Sequence, residues 1–433
     1  MQINGLQRLQ HKFVLMEITE KVHITKFGGF VSSFVNKSIS EKMIVLLYLF
    51  ALVPMLYLVL MAINARIGLS EYSEVLPIIV VFTLSLLGFK QLWKELKWWD
   101  FFLFFLIIWG YLYSPHVYPH TAIDIMLRAP EFILRVLPFF IIGASINLVK
   151  QSNTLLHIGR IGVLLTLFLT LANQVFGLSL SFYEGDENMG LAYNFLPPLI
   201  LVVWNELRHH NVVDFSISAV GLVLLLGFGS RGPVLSLVVF AALSLFIKMK
   251  SRSSRIILLL MAVAFYFFLT PIISFFGDIL SVLGMSDRVV TEMADLQNIS
   301  TTGRDKLFEL VVNQIESNGM YGDGLYSDRS FLEGFNYAYA HNIFLEMAFD
   351  FGVYITIGIF LFFLLILYKN FKQLPGADYK TLYLAFFSFG FIPLLVSNSY
   401  LEWPYFWLFC GLMSAVLKFP NNNVYDIFRK ESM

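Results

Sequence analysis

Along most of this chain, apolar residues neither alternate at the strand period nor recur at the 3.6-residue helical period. They run on without interruption. Twelve stretches are long and apolar enough to predict membrane-spanning helices: 43–63, 75–89, 98–114, 131–149, 161–181, 189–206, 212–229, 232–248, 256–275, 341–368, 381–398 and 401–418. A spanning helix needs about 20 mostly apolar residues. The stretch at 75–89 is short, and Pro197-Pro198 within 189–206 predicts a broken helix lining a cavity rather than facing lipid. The pattern therefore predicts an all-α polytopic membrane protein with a cytoplasmic tail (1–42), membrane helices 1–9 (43–275), a large outer loop (276–340), membrane helices 10–12 (341–418) and a C-terminal cytoplasmic tail (419–433).

Composition agrees. Of 433 residues, 58% are hydrophobic and 14% charged, where soluble domains carry about 25% charged residues. The net charge is zero, which removes any bulk electrostatic case for nucleic acid. Cys410 is the single cysteine, so no internal disulfide and no thiolate metal cluster is expected. The first apolar stretch begins too far from Met1 for a signal peptide. With the N-terminus inside, cytoplasmic segments hold 22 of the 30 Lys and Arg residues, outer loops hold seven, and Arg135 lies within a span. The positive-inside rule fits this orientation and places both ends in the cytosol.

Polar chemistry is costly in such a chain, so its position is informative. Three constellations fall on the outer side. Gly227-Phe228-Gly229-Ser230-Arg231-Gly232-Pro233 turns the chain between two apolar runs. Its glycines let backbone approach a ligand, and Arg231 offers a guanidinium fork for phosphate oxygens; snorkelling to lipid headgroups is the plain alternative. Ser300-Thr301-Thr302-Gly303-Arg304-Asp305 leads into a helical pattern over Asp305 to Ile315. There Arg304 opposes the helix dipole; Arg288 and Arg329 share this loop, and Arg329 is expected to be a solvated charge. The third is Ala340-His341-Asn342 at the head of an apolar run. On one helix Asn342, Glu346 and Asp350 lie within about 80° of one another, a polar stripe entering the bilayer. Arg135 or Arg231 is the expected partner of these acids. A capping asparagine beside an interfacial histidine is the plainer reading.

Gly229-Ser230-Arg231-Gly232, Thr302-Gly303-Arg304, Gly322-Asp323-Gly324-Leu325, Ala340-His341-Asn342 with Phe344-Leu345-Glu346, and Gly352-Val353 follow one another in order. Together they resemble the O-antigen polymerase and O-antigen ligase family of bacterial surface-polysaccharide assembly over roughly residues 190–400. In ligases of that family the His-Asn pair is followed nine residues later by Gly and two threonines. Here Val353-Tyr354-Ile355-Thr356 supplies one threonine, which favours the polymerase.

The resemblance implies a GT-C-like glycosyltransferase of the bacterial inner membrane, needing no metal or other cofactor and working at the periplasmic face. Its substrate would be a glycan carried on undecaprenyl diphosphate. Beyond the lipid bilayer, the suggested partners are a chain-length regulator and a flippase; no nucleic acid is expected. His341, Arg231 and Arg304 are the candidate catalytic residues, with Asn342, Arg288, Glu346, Gly229 and Ser230 as candidate substrate-binding residues. Arginines would stabilise the diphosphate leaving group, and His341, or a carboxylate it orients, would accept the acceptor's proton. Asp323, Asp328 and Glu333 are expected to be solvated among turns. Ligation to lipid A–core is the alternative reaction, and a flippase or transporter the alternative outside the enzymes.

Overall fold

A computed structural model describes residues 38–56, 96–176, 187–249 and 304–417, with scattered positions in 59–94 and 251–256. Helix α1 (Ile39–Leu52) starts at a capping box, in which Ser38 Oγ accepts from Glu41 N and the Glu41 carboxylate accepts from Ser38 N. Helix α2 (Trp98–Val117) presents a ladder of exposed Phe105, Trp109 and Tyr113 rings.

The expected span 131–149 is not one helix. A 3-10 turn (Pro119–Thr121) leads into α3 (Ala122–Glu131), a π turn (Phe132–Val136) and α4 (Leu137–Ser145). Pro138 has no N–H to return to Leu134, and a wider turn accommodates the lost bond. Helix α5 (Leu148–Phe176) begins well before the expected 161. Asn147 Oδ1 accepts from Val149 N and Lys150 N and caps it, so polar residues that read as a loop are helical.

Helix α6 (Glu187–His209) stays helical through Pro197 and Pro198, contrary to the expected break. Tertiary packing holds it: Phe195, Leu196, Leu199, Ile200 and Leu201 are fully buried. Helices α5, α7 (Val212–Gly227) and α8 (Arg231–Lys248) surround α6.

The second half comprises α9 (Arg304–Ser317), α10 (Ser327–Glu333), α11 (Ile343–Phe351), α12 (Val353–Gln373), α13 (Gly376–Gly390), a 3-10 turn (Ile392–Leu395) and α14 (Pro404–Leu417). The apolar run read as one helix over 341–368 is therefore two. It breaks at Gly352, whose φ of 85° and ψ of 157° are open to glycine almost alone. A Cβ there would stand 2.8 Å from both Gly322 N and Met320 O. Backbone bonds from Asp323 N to Phe349 O and from Val353 N to Met320 O lock the break. Helix α11 consequently folds against α9 and α10 instead of prolonging α12.

Among the described residues, four helices are long and apolar enough to cross a membrane: Asp100–Val117, Leu148–Ala172, Arg231–Lys248 and Val353–Gln373. Val212–Gly227 and Pro404–Leu417 are shorter apolar helices. All but the first residue of the expected span 256–275 lies outside the described residues. The protein is all-helical over what is described, an architecture of the polytopic membrane type.

Candidate functional site

Helices α10 and α11 meet the segment 396–403 around one guanidinium. Arg329 is 4% exposed, so the expected solvated charge is instead the centre of the cluster. Its Nη1 donates to Asp328 Oδ1 at 2.5 Å and Glu346 Oε1 at 2.8 Å, and its Nη2 donates to Ser399 Oγ at 2.5 Å and Glu402 Oε1 at 3.4 Å. The Tyr326 and Tyr339 rings lie 5.0 and 5.6 Å from the guanidinium carbon. Burial works against this charge, yet Asp328, Glu346 and Glu402 hold Arg329 well above its ordinary pKa.

Asp328 is likewise fully buried, not solvated, and accepts from Ala340 N at 3.1 Å. Glu346 is paired with Arg329 rather than with the expected Arg135 or Arg231; Arg135 pairs with Glu131 at 2.9 Å. Glu346 also accepts from Tyr400 N at 3.1 Å, and Asp350 accepts from the Tyr400 hydroxyl at 2.6 Å. An isolated buried carboxylate would be prohibitively costly, which explains why so many donors converge here.

Arg304 and His341 border this cluster. Arg304 opens α9 and donates to Val396 O. His341 stands at a φ of 54°, unusual for a residue with a Cβ. Its ring lies 4.1 Å from the Tyr339 ring, and Nδ1 is buried without a hydrogen-bond partner. Burial first, then Arg304 and Arg329, hold its pKa down at about 4, so the ring is neutral at ordinary pH. Tyr339 is pushed up to about 12 by burial and by Glu402.

The turn between α7 and α8 closes on the same place. Tyr193 of α6 lies close to Ser230 and Ser397, and Arg304 acts on it electrostatically. A Cβ on Gly232 would fall 2.0 Å from the Tyr193 hydroxyl, so only glycine admits this approach. Gly229 takes a φ of 75° within the turn. Arg231, between Ser230 and Gly232, is the first residue of α8. Asn342 is engaged at the helix end: its Oδ1 accepts from Phe344 N and Leu345 N, and its Nδ2 donates to Leu395 O at 3.1 Å. Arg288 lies outside the described residues. The structure thus joins Ser230, Arg304, His341 and Glu346, which the sequence separates widely.

Sequence reasoning missed Arg128, Tyr193, Ser399, Tyr400 and Glu402. Arg128 on α3 donates to Glu402 Oε1 at 2.8 Å and lies 5.8 Å from the Tyr326 ring. A charge just before an apolar run is the one signal that could have marked Glu402. Beside the cluster, α9, α11 and α12 enclose a nearly wholly apolar cavity of about 420 Å³, lined by Ile315, Met320, Phe344, Ala348, Ile357 and Leu361, among others. Among the described residues, no group of three or more His, Cys, Asp and Glu side chains is placed to hold a metal ion.

Residues 216–363 match the family model for O-antigen ligase. The matched stretch begins in α7, ends in α12 and contains Ser230, Arg304, Arg329, His341 and Glu346. It supports an O-antigen ligase or polymerase type of protein. Arg128, Tyr193 and the segment 396–403 lie outside it. No curated protein and no solved structure matches the chain.

Proposed function

We propose that this protein is a membrane glycosyltransferase that joins oligosaccharide repeat units carried on undecaprenyl diphosphate, an O-antigen or surface-polysaccharide polymerase. The observation that carries this reading is the convergence of Arg304, a neutral His341 and the Ser230 turn beside apolar helices. It works at the periplasmic face of the bacterial inner membrane. In support, Arg160, Arg208 and Lys248 gather near the opposite end of α7, as cytoplasmic cations would.

Cleavage of a sugar–diphosphate bond leaves negative charge on the departing phosphate. Arg304, with Arg231 at the start of α8, stabilises that charge. Fixed guanidinium charge is what makes the reaction metal-independent in this scheme. A neutral His341 hydrogen-bonds the reacting sugars, and it or a neighbouring carboxylate receives the acceptor's proton. The apolar cavity along α12 takes the polyprenyl chain, because it opens beside exposed Ile357, Leu361 and Leu364.

Replacing Arg231, Arg304 or His341 by alanine is expected to abolish long polysaccharide chains while protein levels hold. Wild-type chain lengths in all three variants would overturn the assignment. Ligation to lipid A–core is the second reading, favoured by the description of the matching family. Purified protein given a lipid-linked repeat unit alone separates them: polymer forms under the first reading, and only added lipid A–core yields product under the second.

A further inference from the structure

Within the polar cluster three carboxylates are sealed: Asp328 and Glu346 are fully buried and Asp350 is 1% exposed. Glu402 differs, with 33% of its side chain exposed beside a 39% exposed Arg128. Both arginines that hold it, Arg128 at 2.8 Å and Arg329 at 3.4 Å, grip the same oxygen, Oε1. Oε2 takes part in neither contact, so one oxygen anchors a partly exposed side chain while the other is left outside both ion pairs. Glu402 acts electrostatically on Tyr339, whose ring packs at a tilt against His341. Arg329, which Glu402 holds, lies 5.6 Å from that same Tyr339 ring, so Glu402 is one arginine removed from the ring pair of Tyr339 and His341. Next to it, the fully enclosed Arg329 Nε and the buried His341 Nδ1 lack hydrogen-bond partners, and such atoms in a native site point to a bound group that completes them.

We infer that Glu402 is the catalytic base that takes the proton of the acceptor sugar hydroxyl, supplied by a segment outside the matched stretch. The inference rests on the glycosyltransferase reading above. The acceptor oxygen forms its bond to the anomeric carbon as the bond from that carbon to the phosphate oxygen breaks. The bonding pair leaves with the diphosphate, and the hydroxyl proton moves to Glu402 Oε2, later passing to water. A proton placed on His341 would instead create an imidazolium beside Arg304 and Arg329. When Glu402 is neutralised, negative charge has just arrived on the diphosphate, and the half-exposed Arg128 can follow it there. Arg329 keeps Asp328 and Glu346 as partners throughout, so the fold does not depend on the Glu402 charge.

The test is a steady-state assay of purified protein in liposomes with a lipid-linked repeat unit, comparing wild type, Glu402→Gln, Glu402→Ala and Arg304→Met, with unfolding midpoints recorded for each. Glu402→Gln is expected to lower kcat by about 10²- to 10⁴-fold with little change in KM. Sodium formate, a small carboxylate, is expected to restore part of the rate to Glu402→Ala, which no merely structural role allows. A folded Glu402→Gln protein with wild-type kcat overturns the proposal, and so does a folded Glu402→Ala protein that formate leaves inactive. If Arg304→Met is inactive while Glu402→Gln is not, only the base assignment fails. If the wild type joins no sugars, the function reading fails and takes this proposal with it.

Discussion

Two charged clusters lie towards opposite ends of α7, and they use the same residue types differently. At the Asp214 end, Arg160 grips both carboxylate oxygens at 2.7 Å, and Asn205 and Asn211 add bonds to Oδ2. Asp378 is shared there by Arg208 and Lys248. That end fastens α5, α6, α7, α8 and α13 together. At the Ser230 end, three enclosed acids, Asp328, Glu346 and Asp350, face one enclosed arginine. The Asp214 end has one unpaired carboxylate oxygen, Glu206 Oε2, and one positive-φ residue, His210, but the Ser230 end gathers more of both, with Arg329 Nε, His341 Nδ1 and Asp350 Oδ1 all unpaired. Tyr326, His341 and Asn398 all carry positive φ angles. Backbone strain and unmet hydrogen bonds persist only where the surroundings enforce them, and they concentrate at functional sites. The first cluster is a clamp; the second is arranged for chemistry.

The comparison breaks most severely at Arg329. Arg329→Met strands Asp328 and Glu346 as buried, unpaired carboxylates, at a cost of about 3–5 kcal/mol. Loss of both folded protein and activity is expected, read by yield and by thermal unfolding in detergent. Asp214→Asn sharpens the contrast. It weakens the Arg160 pair and lowers stability by about 1–3 kcal/mol, while turnover per folded molecule stays at the wild-type level. Asn342→Ala removes the cap of α11 and is expected to cost about 1 kcal/mol, seen as a lower unfolding midpoint.

The subtlest effect is on pH. His341 is held near 4 in the folded protein against 6.5 when unperturbed. As pH falls from about 6.5 to 4 the unfolded chain binds the proton first, so the stability associated with the neutral ring is complete above that window and lost within it. Arg304→Met removes one of the charges holding the value down. It should narrow the window from below, with the His341 ring titration, followed by NMR, moving up towards 6.5.

Much of the fold was legible. Apolar runs marked α2, α8 and α12, and the Asn342 cap and the Arg304 start of α9 are local signals that the structure reproduces. Hydropathy could not see the break at Gly352, because one glycine leaves the apolar character of 341–368 unchanged while splitting the run into two helices. It also mistook the polar first turns of α5 for a loop, since Arg160 finds its partner 54 residues away. The site divides in the same way. His341, Arg304 and Ser230 stood out because polar groups are rare at the ends of apolar runs. Arg329 looked like a loop charge, since its partners Glu346 and Glu402 lie 17 and 73 residues further on. Only tertiary packing brings the segment 396–403 to it.

Binding of a short-chain polyprenyl diphosphate to the purified protein tests most directly whether the Ser230 end is the working site. The affinity of Arg304→Met is expected to fall by tenfold or more, about 1.4 kcal/mol for each factor of ten, with Asp214→Asn indistinguishable from wild type. Unchanged binding in Arg304→Met, or a comparable loss in a folded Asp214→Asn protein, would contradict the account.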